Sequence, residues 1–254
     1  ARTAEDVALM LQAIAGPSPL APLRQPMEGR EFVTAVRNGP ARNLRVAYCP
    51  DIAGIGVDPG IEMVCRRAAH RLAECGTSVE EIILDLSAGR DAFLTLRGLW
   101  FVAWMQERLD RLDELGVNVR NNTRAGLAGL VPDIAKAEVT RGTLWHTFRS
   151  FFERYDHLLT PTMAVPPFPV ERNYPDRVAG KEMKTYVDWI APTFVLSLTG
   201  LPVASVPCGL DAEGMPVGMQ IVGRPQAEEA VLALAKVMQD QSSIGGPRLE
   251  GNPG

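Results

Sequence analysis

The sequence predicts an α/β fold in which a mixed β-sheet is flanked by helices. Three observations lead there. Residues 44–84 read strand, helix, strand, and that spacing implies a right-handed crossover with a parallel pair. Residues 203–222 read as two apolar strands about a tight polar turn, an antiparallel hairpin. Amphipathic stretches fill most of the intervals between strands, the alternation of a layered α/β sheet. The chain has 254 residues, 46% of them hydrophobic and 22% charged, an ordinary globular mix that suits one domain with a sizeable core.

The elements follow in order. Thr3 and Asp6 form a capping-box-like start, and Val7, Met10, Leu11 and Ile14 recur at helical spacing as an apolar face. Gly16 and Pro17 end this helix. Residues 17–43 hold five prolines and read as a linker, so residues 1–43 form an N-terminal helix and linker. Residues 44–49 (LRVAYC) are a strand. Asp58 and Pro59 are an N-cap and first helical residue, Ile61, Val64, Cys65, Ala68, Ala69 and Leu72 point inward, and Gly76 stops the helix. Residues 79–84 return as a strand. Residues 88–115 read as one helix with Phe93, Leu96, Leu99, Trp100 and Trp104 on its apolar side, and residues 133–153 as another. A strand follows at 157–160, a Pro-rich loop at 161–180, and a helix at 184–198 interrupted near Pro192. Strands at 203–210 and 217–222 flank the turn Asp211-Ala212-Glu213-Gly214. A last helix spans 226–239, and the Gly/Pro-rich residues 243–254 are expected to be a loose tail.

The bulk chemistry argues against several functions. Net charge is −4 with no basic block, which speaks against nucleic-acid binding. No apolar run reaches membrane-spanning length, and the N-terminus lacks the pattern of a signal peptide. The cysteines Cys49, Cys65, Cys75 and Cys208 form no C-x-x-C pair and the three histidines are scattered, so no metal is expected and the thiols read as reduced core residues of a cytoplasmic protein. Asp51 to Gly56 (DIAGIG) lacks the G-x-G-x-x-G spacing of a dinucleotide site, and no cofactor is implied. Arginine far outnumbers lysine (only Lys136, Lys181, Lys184 and Lys236), which with abundant alanine fits a GC-rich bacterial gene.

Amide hydrolysis needs a nucleophile, a base and an oxyanion hole. The sequence has no G-x-S-x-G elbow. Ser197 and Ser205 lie in apolar surroundings and read as hydroxyls bonded to nearby backbone. Ser242-Ser243-Ile244-Gly245-Gly246 has no following helix to form a catalytic loop. His146 and His157 adjoin no strained serine turn. Glu80-Glu81, Asp110/Asp113/Glu114 and Glu228-Glu229 read as solvated or helix-dipole carboxylates. No catalytic residue is assigned.

More specific are residues 155–162 (YDHLLTPT), Pro166-Pro167-Phe168, residues 188–192 (DWIAP) and residues 199–225 (TGLPVASVPCGLDAEGMPVGMQIVGRP). On these runs, and on the helix that begins at Ala1, the chain resembles the amidase signature hydrolases. The resemblance spans nearly the whole chain and is most specific over 155–225. It implies the C-terminal part of an α/β/α sandwich. Members of that family use a Ser–cis-Ser–Lys triad on a segment N-terminal to the position of Ala1, and no residue here matches it. The resemblance therefore implies a C-terminal half that is inactive alone. Its partner would be the missing N-terminal half or a second copy, and its substrate a small-molecule amide. Trp189 and Ile190 would line the acyl side of the substrate pocket, with Thr162 and Met163 near its entrance. The resemblance also covers the amidase-like subunits of glutamine-dependent tRNA amidotransferases, whose ammonium-binding Asp falls in register with Ile190, two residues from Asp188. A non-catalytic interaction or scaffold module is the remaining reading.

Overall fold

The computed structural model describes residues 1–20 and 29–242. Helices α1 (Ala4–Ile14) and α2 (Phe32–Asn38) precede strand β1 (Arg45–Tyr48). Helix α3 (Pro59–Arg71) leads through a 3-10 turn (Leu72–Cys75) to β2 (Ser78–Glu81). Three helices follow, α4 (Gly89–Trp104), α5 (Val117–Leu127) and α6 (Val131–Arg154), then β3 (His157–Pro161). A two-strand ribbon, β4 (Arg177–Val178) and β5 (Lys181–Glu182), precedes α7 (Ala191–Ser197), the hairpin β6 (Val203–Leu210) and β7 (Pro216–Val222), and α8 (Glu228–Ser242).

The main sheet is mixed, as expected, with order β2-β1-β3-β7-β6. β1 pairs in parallel with β2 (Val46 opposite Val79) and also with β3 (Val46 opposite His157). The second parallel pair was not expected from the sequence, because the long helical stretch between β2 and β3 hides the return. β7 runs antiparallel to β3 and to β6, and the β6–β7 register slips between Pro207 and Gly209.

Alternation along the strands feeds two cores. Val46, Tyr48, Leu159, Met219 and Ile221 pack with α3 and α8 on one face. Ala47, Cys49, Leu158 and Val222 pack with α4, α6 and α7 on the other. The result is a helix–sheet–helix sandwich. The cap of α3 forms as the sequence implies: Asp58 Oδ1 accepts from the N–H groups of Gly60 (2.8 Å) and Ile61 (3.2 Å). Thr3 Oγ1 likewise accepts from Asp6 N–H at the start of α1.

Several expectations need correction. The 17–43 linker contains α2, a short helix whose Phe32 and Val36 are buried and whose N-terminal side is held by Arg30 bonding Glu228 and Glu229. α5 was not expected, since its sequence VNVRNNTRAGL is poor in helix formers. It forms because Gly126 lets it cross α4 closely; a Cβ there would collide with Gly98 O. The 88–115 stretch is not one helix: after Trp104 it tightens into a 3-10 run, Gln106–Glu114, with a non-helical Arg111. Pro192 starts α7 rather than interrupting a helix, because it occupies the first turn, where no N–H is needed. The apolar faces of α1 and α4 are only partly buried: Ile14 is 77% and Trp104 70% exposed, while Ala4, Ala8, Phe93 and Leu96 pack inward. Cys75 is exposed, unlike the other three cysteines. The expected tail at 243–254 lies outside the described residues.

Candidate functional site

Motif residues converge where the C-terminal end of β3 meets β7. β3 is fully buried and ends at Pro161, so the chain leaves the sheet at Thr162. Thr162 stays tied to β7 through its N–H, which donates to Gly218 O (2.9 Å). Its hydroxyl lies 2.8 Å from that of Ser205 on β6. Gly218 is needed between them, since a Cβ there would meet Thr162 Oγ1 at 3.0 Å. Beneath this level the buried Gln220 side chain donates to Pro161 O (3.2 Å) and Pro192 O (3.1 Å). One amide thus clamps the end of β3 to the start of α7.

An apolar cavity of about 330 Å³ opens beside Gly218. Ile61 of α3, Met163, Phe168, Trp189 and Pro216 line it. The rings of Phe168 and Trp189 meet edge to face, 5.1 Å between centroids at 79°. Trp189 Nε1–H donates to Tyr186 O (2.9 Å), which fixes the indole at the cavity.

Asp188, the next residue back, has the opposite setting. It is buried, and its carboxylate accepts from four donors: Arg90 Nε (2.8 Å) and Arg90 Nη2 on Oδ1, and the N–H groups of Lys184 (2.9 Å) and Thr185 (2.8 Å) on Oδ2. Burial pushes this carboxyl up, but the Arg90 guanidinium and the two backbone donors outweigh it and hold its pKa below the ordinary carboxylate value. Tyr186 in the same turn accepts at its hydroxyl from Arg97 Nη2 (3.0 Å) and from Asn122 Nδ2 of α5 (2.7 Å).

Of the four residues singled out in the sequence, the structure places Met163 and Trp189 in the cavity wall, whereas Thr162 is not a lining residue and is bonded to the lining residue Gly218. Ile190 is not among the lining residues; it packs, half-buried, against the core of α4, α6 and α7. Phe168, Ile61 and Pro216 also stand in the wall. Phe168 was visible in the Pro-Pro-Phe run, whereas the approach of Ile61 from α3 and Pro216 from the hairpin depends on tertiary folding. Arg90 had no sequence signal as the partner of Asp188.

The other polar candidates scatter. Ser197 Oγ donates to Phe194 O (2.7 Å), a local helix bond. His146 is exposed on α6. His157 is buried in β3, and desolvation lowers its pKa against the pull of the Val222 backbone and Asp156. Glu81 pairs with His70 (2.9 Å) and Arg66 at the surface. Of the Ser242–Gly246 run, everything past Ser242 lies outside the described residues. Among the described residues no three His, Cys, Asp or Glu gather as a metal site, and no helix is long and apolar enough to cross a membrane. Two larger clefts, about 570 Å³ between α4, α5 and α6 and about 400 Å³ between α1, β6 and α8, hold none of the four residues.

A mixed sheet with a fully buried central strand, a proline-rich exit from β3 and an apolar groove against the hairpin define an α/β scaffold. The chain belongs to the amidase family, whose pattern it matches over residues 1–232. It is 30% identical to an acylamidase of Rhodococcus erythropolis, over 92% of this chain and 50% of that protein. It is also 30% identical to a glutamyl-tRNA(Gln) amidotransferase subunit of Rhodospirillum rubrum, over 96% of this chain and 52% of that one. Among solved structures, a bacterial aryl acylamidase of the amidase signature family superposes with a TM-score of 0.83 at 25% identity, covering 94% of this chain and 51% of that one. The fold is shared with 6-aminohexanoate cyclic dimer hydrolase as well, at TM-score 0.83 and 19% identity, over 96% and 54% of the two chains. The chain spans about half the length of the curated relatives it matches.

Proposed function

We propose that these residues are the C-terminal portion of an amide hydrolase. Its reaction cleaves a carboxylic amide to the acid and ammonia or an amine. In this reading the chain supplies scaffold and one wall of the substrate pocket. The serine nucleophile, its relay serine and its lysine base are carried by polypeptide outside these residues. The observation that carries the reading is the apolar cavity at the β3 exit, walled by Phe168 and Trp189 on the very runs that resemble the family and by Met163 directly after one of them. Its lining suits an alkyl or aryl group better than a charged one, because burying an unpaired charge against such a wall costs several kcal/mol. The half-length match to full amidases is consistent with a partner segment.

Asp188 bears on the choice between an amidase and an amidotransferase component. Its carboxylate is already saturated by Arg90 and two backbone N–H groups, so it offers no free charge to a glutamine ammonium. Ile190, in the register of the amidotransferase Asp, is apolar and core-packed. Both favour a stand-alone amidase acting on a neutral amide.

The experiment is a panel of simple alkyl and aryl amides offered to the purified 254-residue chain and to a polypeptide that joins it to the upstream reading frame. The expected result is ammonia or amine release by the longer polypeptide only. Turnover by the 254-residue chain, abolished by a single substitution within it, would overturn the division of labour.

A further inference from the structure

We propose that Cys65 and Cys208 form an oxidant-sensitive dithiol that closes to a disulfide and pins strand β6 to helix α3. The two sulfurs lie 3.9 Å apart although 143 residues separate them in sequence. Both residues are fully buried and both are free thiols. A disulfide requires the sulfurs to close by roughly 2 Å, and the strand that carries Cys208 is built to allow it. Among the described residues β6 is the last strand of the sheet. The β6–β7 register passes from Pro207↔Gly218 to Gly209↔Val217, so Cys208 sits at a bulge outside the paired register. Its carbonyl is held instead by Arg71 Nη2 (2.8 Å). A bulged residue can move toward α3 without breaking a regular ladder pair, and local opening of the strand admits a small oxidant.

The pair is also chemically polarised. The two thiols share one hydrogen bond, in which either sulfur can donate, and the Arg71 guanidinium on the Cys208 carbonyl places positive charge beside Cys208, so within the pair the Cys208 thiol is the lowered one and the Cys65 thiol the raised one. Cys208 is therefore the attacking sulfur and Cys65 the resolving one. With hydrogen peroxide as oxidant, the Cys208 thiolate attacks one peroxide oxygen, the O–O bond breaks, and a sulfenic acid and hydroxide result. Cys65 sulfur then attacks the sulfenic sulfur and displaces a second hydroxide. The two thiol protons neutralise the two hydroxides. Two thiols are oxidised, and one peroxide is reduced to two waters.

The bond forms directly behind the groove. Cys65 Sγ lies 3.8 Å from Gly218 O, and Gly218 and Ile61 of the same helix line the cavity. Cys49 has no part in it: its sulfur faces Leu84 O at 3.6 Å.

The test uses the intact chain with the exposed Cys75 replaced (Cys75→Ser), which leaves three of the four cysteines. Graded hydrogen peroxide is followed by denaturation, blocking with N-ethylmaleimide and peptide mapping without reduction. The expected result is a peptide pair joined through Cys65 and Cys208, a fall from three titratable thiols to one, and a melting temperature that rises on oxidation and returns on reduction. Adding Cys208→Ser should remove the linked peptide and the thermal rise. Should that variant fail to fold, the map of the parent decides by itself. Recovery of Cys65 and Cys208 as separate maleimide adducts or sulfinic acids, or a link from either to Cys49, overturns the proposal.

Discussion

The turn that ends in Asp188 and the wall that begins at Trp189 are adjacent in sequence and opposite in physics. The turn is an anchor: one buried carboxylate gathers an arginine from α4 and two backbone N–H groups, and Tyr186 beside it gathers Arg97 and Asn122. In the wall the Trp189 side chain makes one hydrogen bond, from the indole N–H back to the turn, and otherwise packs edge to face with Phe168 at the cavity. Directional bonds fix the backbone at 184–188, and that backbone aims the indole. Stability is thus concentrated in the anchor and shape in the wall, which leaves the wall free to change without endangering the fold.

The sharpest way to break this contrast is Asp188→Ala. It strands two N–H groups and a partly buried guanidinium. The expected loss is about 3 kcal/mol, the lower end for removing one partner of a buried pair, because Arg90 stays one-third exposed. The pH dependence carries a sign. The folded pKa of Asp188 is depressed, so its contribution is fully present above the ordinary carboxylate pKa of about 4 and is lost as pH falls through the lower folded value. Urea melts of the parent should therefore weaken below about pH 4, and Asp188→Asn should flatten part of that slope. A slope unchanged by Asp188→Asn would mean the anchor is not ionic.

A somewhat smaller effect is expected from Gly126→Ala, which reaches the anchor from behind. The new methyl collides with Gly98 O, so α5 must withdraw from α4 and carry Asn122 away from Tyr186. Overpacking of this kind costs about 1–3 kcal/mol, even though alanine is the better helix former. Gly98→Ala faces a milder 3.0 Å contact and should cost less. Equal melting temperatures for the two variants would show that the helices are not in the tight contact on which the anchor leans.

Local rules carried far along this chain and then stopped at identifiable places. The cap at Asp58, the stop at Gly76, the crossover and the hairpin turn rest on neighbours within a few residues, and all formed as the sequence implied. α5 did not announce itself, because its stability comes from a glycine contact with α4 and from Asn122 and Thr123 bonding within and across helices, not from propensity. Periodicity marked apolar faces on α1 and α4 without saying how far their packing extends, and Ile14 and Trp104 ended in solvent. At the candidate site, Thr162, Met163 and Trp189 were legible through motif resemblance. Ile61 and Arg90 were not, because only the folded sheet and α4 bring them there. Ile190, expected on the acyl side, is not among the residues lining the cavity: it follows Trp189 in the 3-10 turn and packs against the core.

The smallest expected effect on stability, and the most specific on function, is Trp189→Ala. The edge-to-face pair with Phe168 is worth about 0.5–1.5 kcal/mol beyond its buried area, and Trp189 is half-buried at the cavity rather than locked in the core, so the melt should shift by about 1 kcal/mol, well short of Asp188→Ala. The cavity, however, loses its largest side. In the longer, active polypeptide that the proposed function calls for, an aryl amide should show a raised KM with kcat little changed, as removal of uniform binding predicts, and Trp189→Phe should restore most of the affinity by keeping a ring against Phe168. A loss of stability as large as that of Asp188→Ala would place Trp189 in the anchor instead of the wall. An unaltered KM would separate this cavity from the substrate, even if the fold survived unchanged.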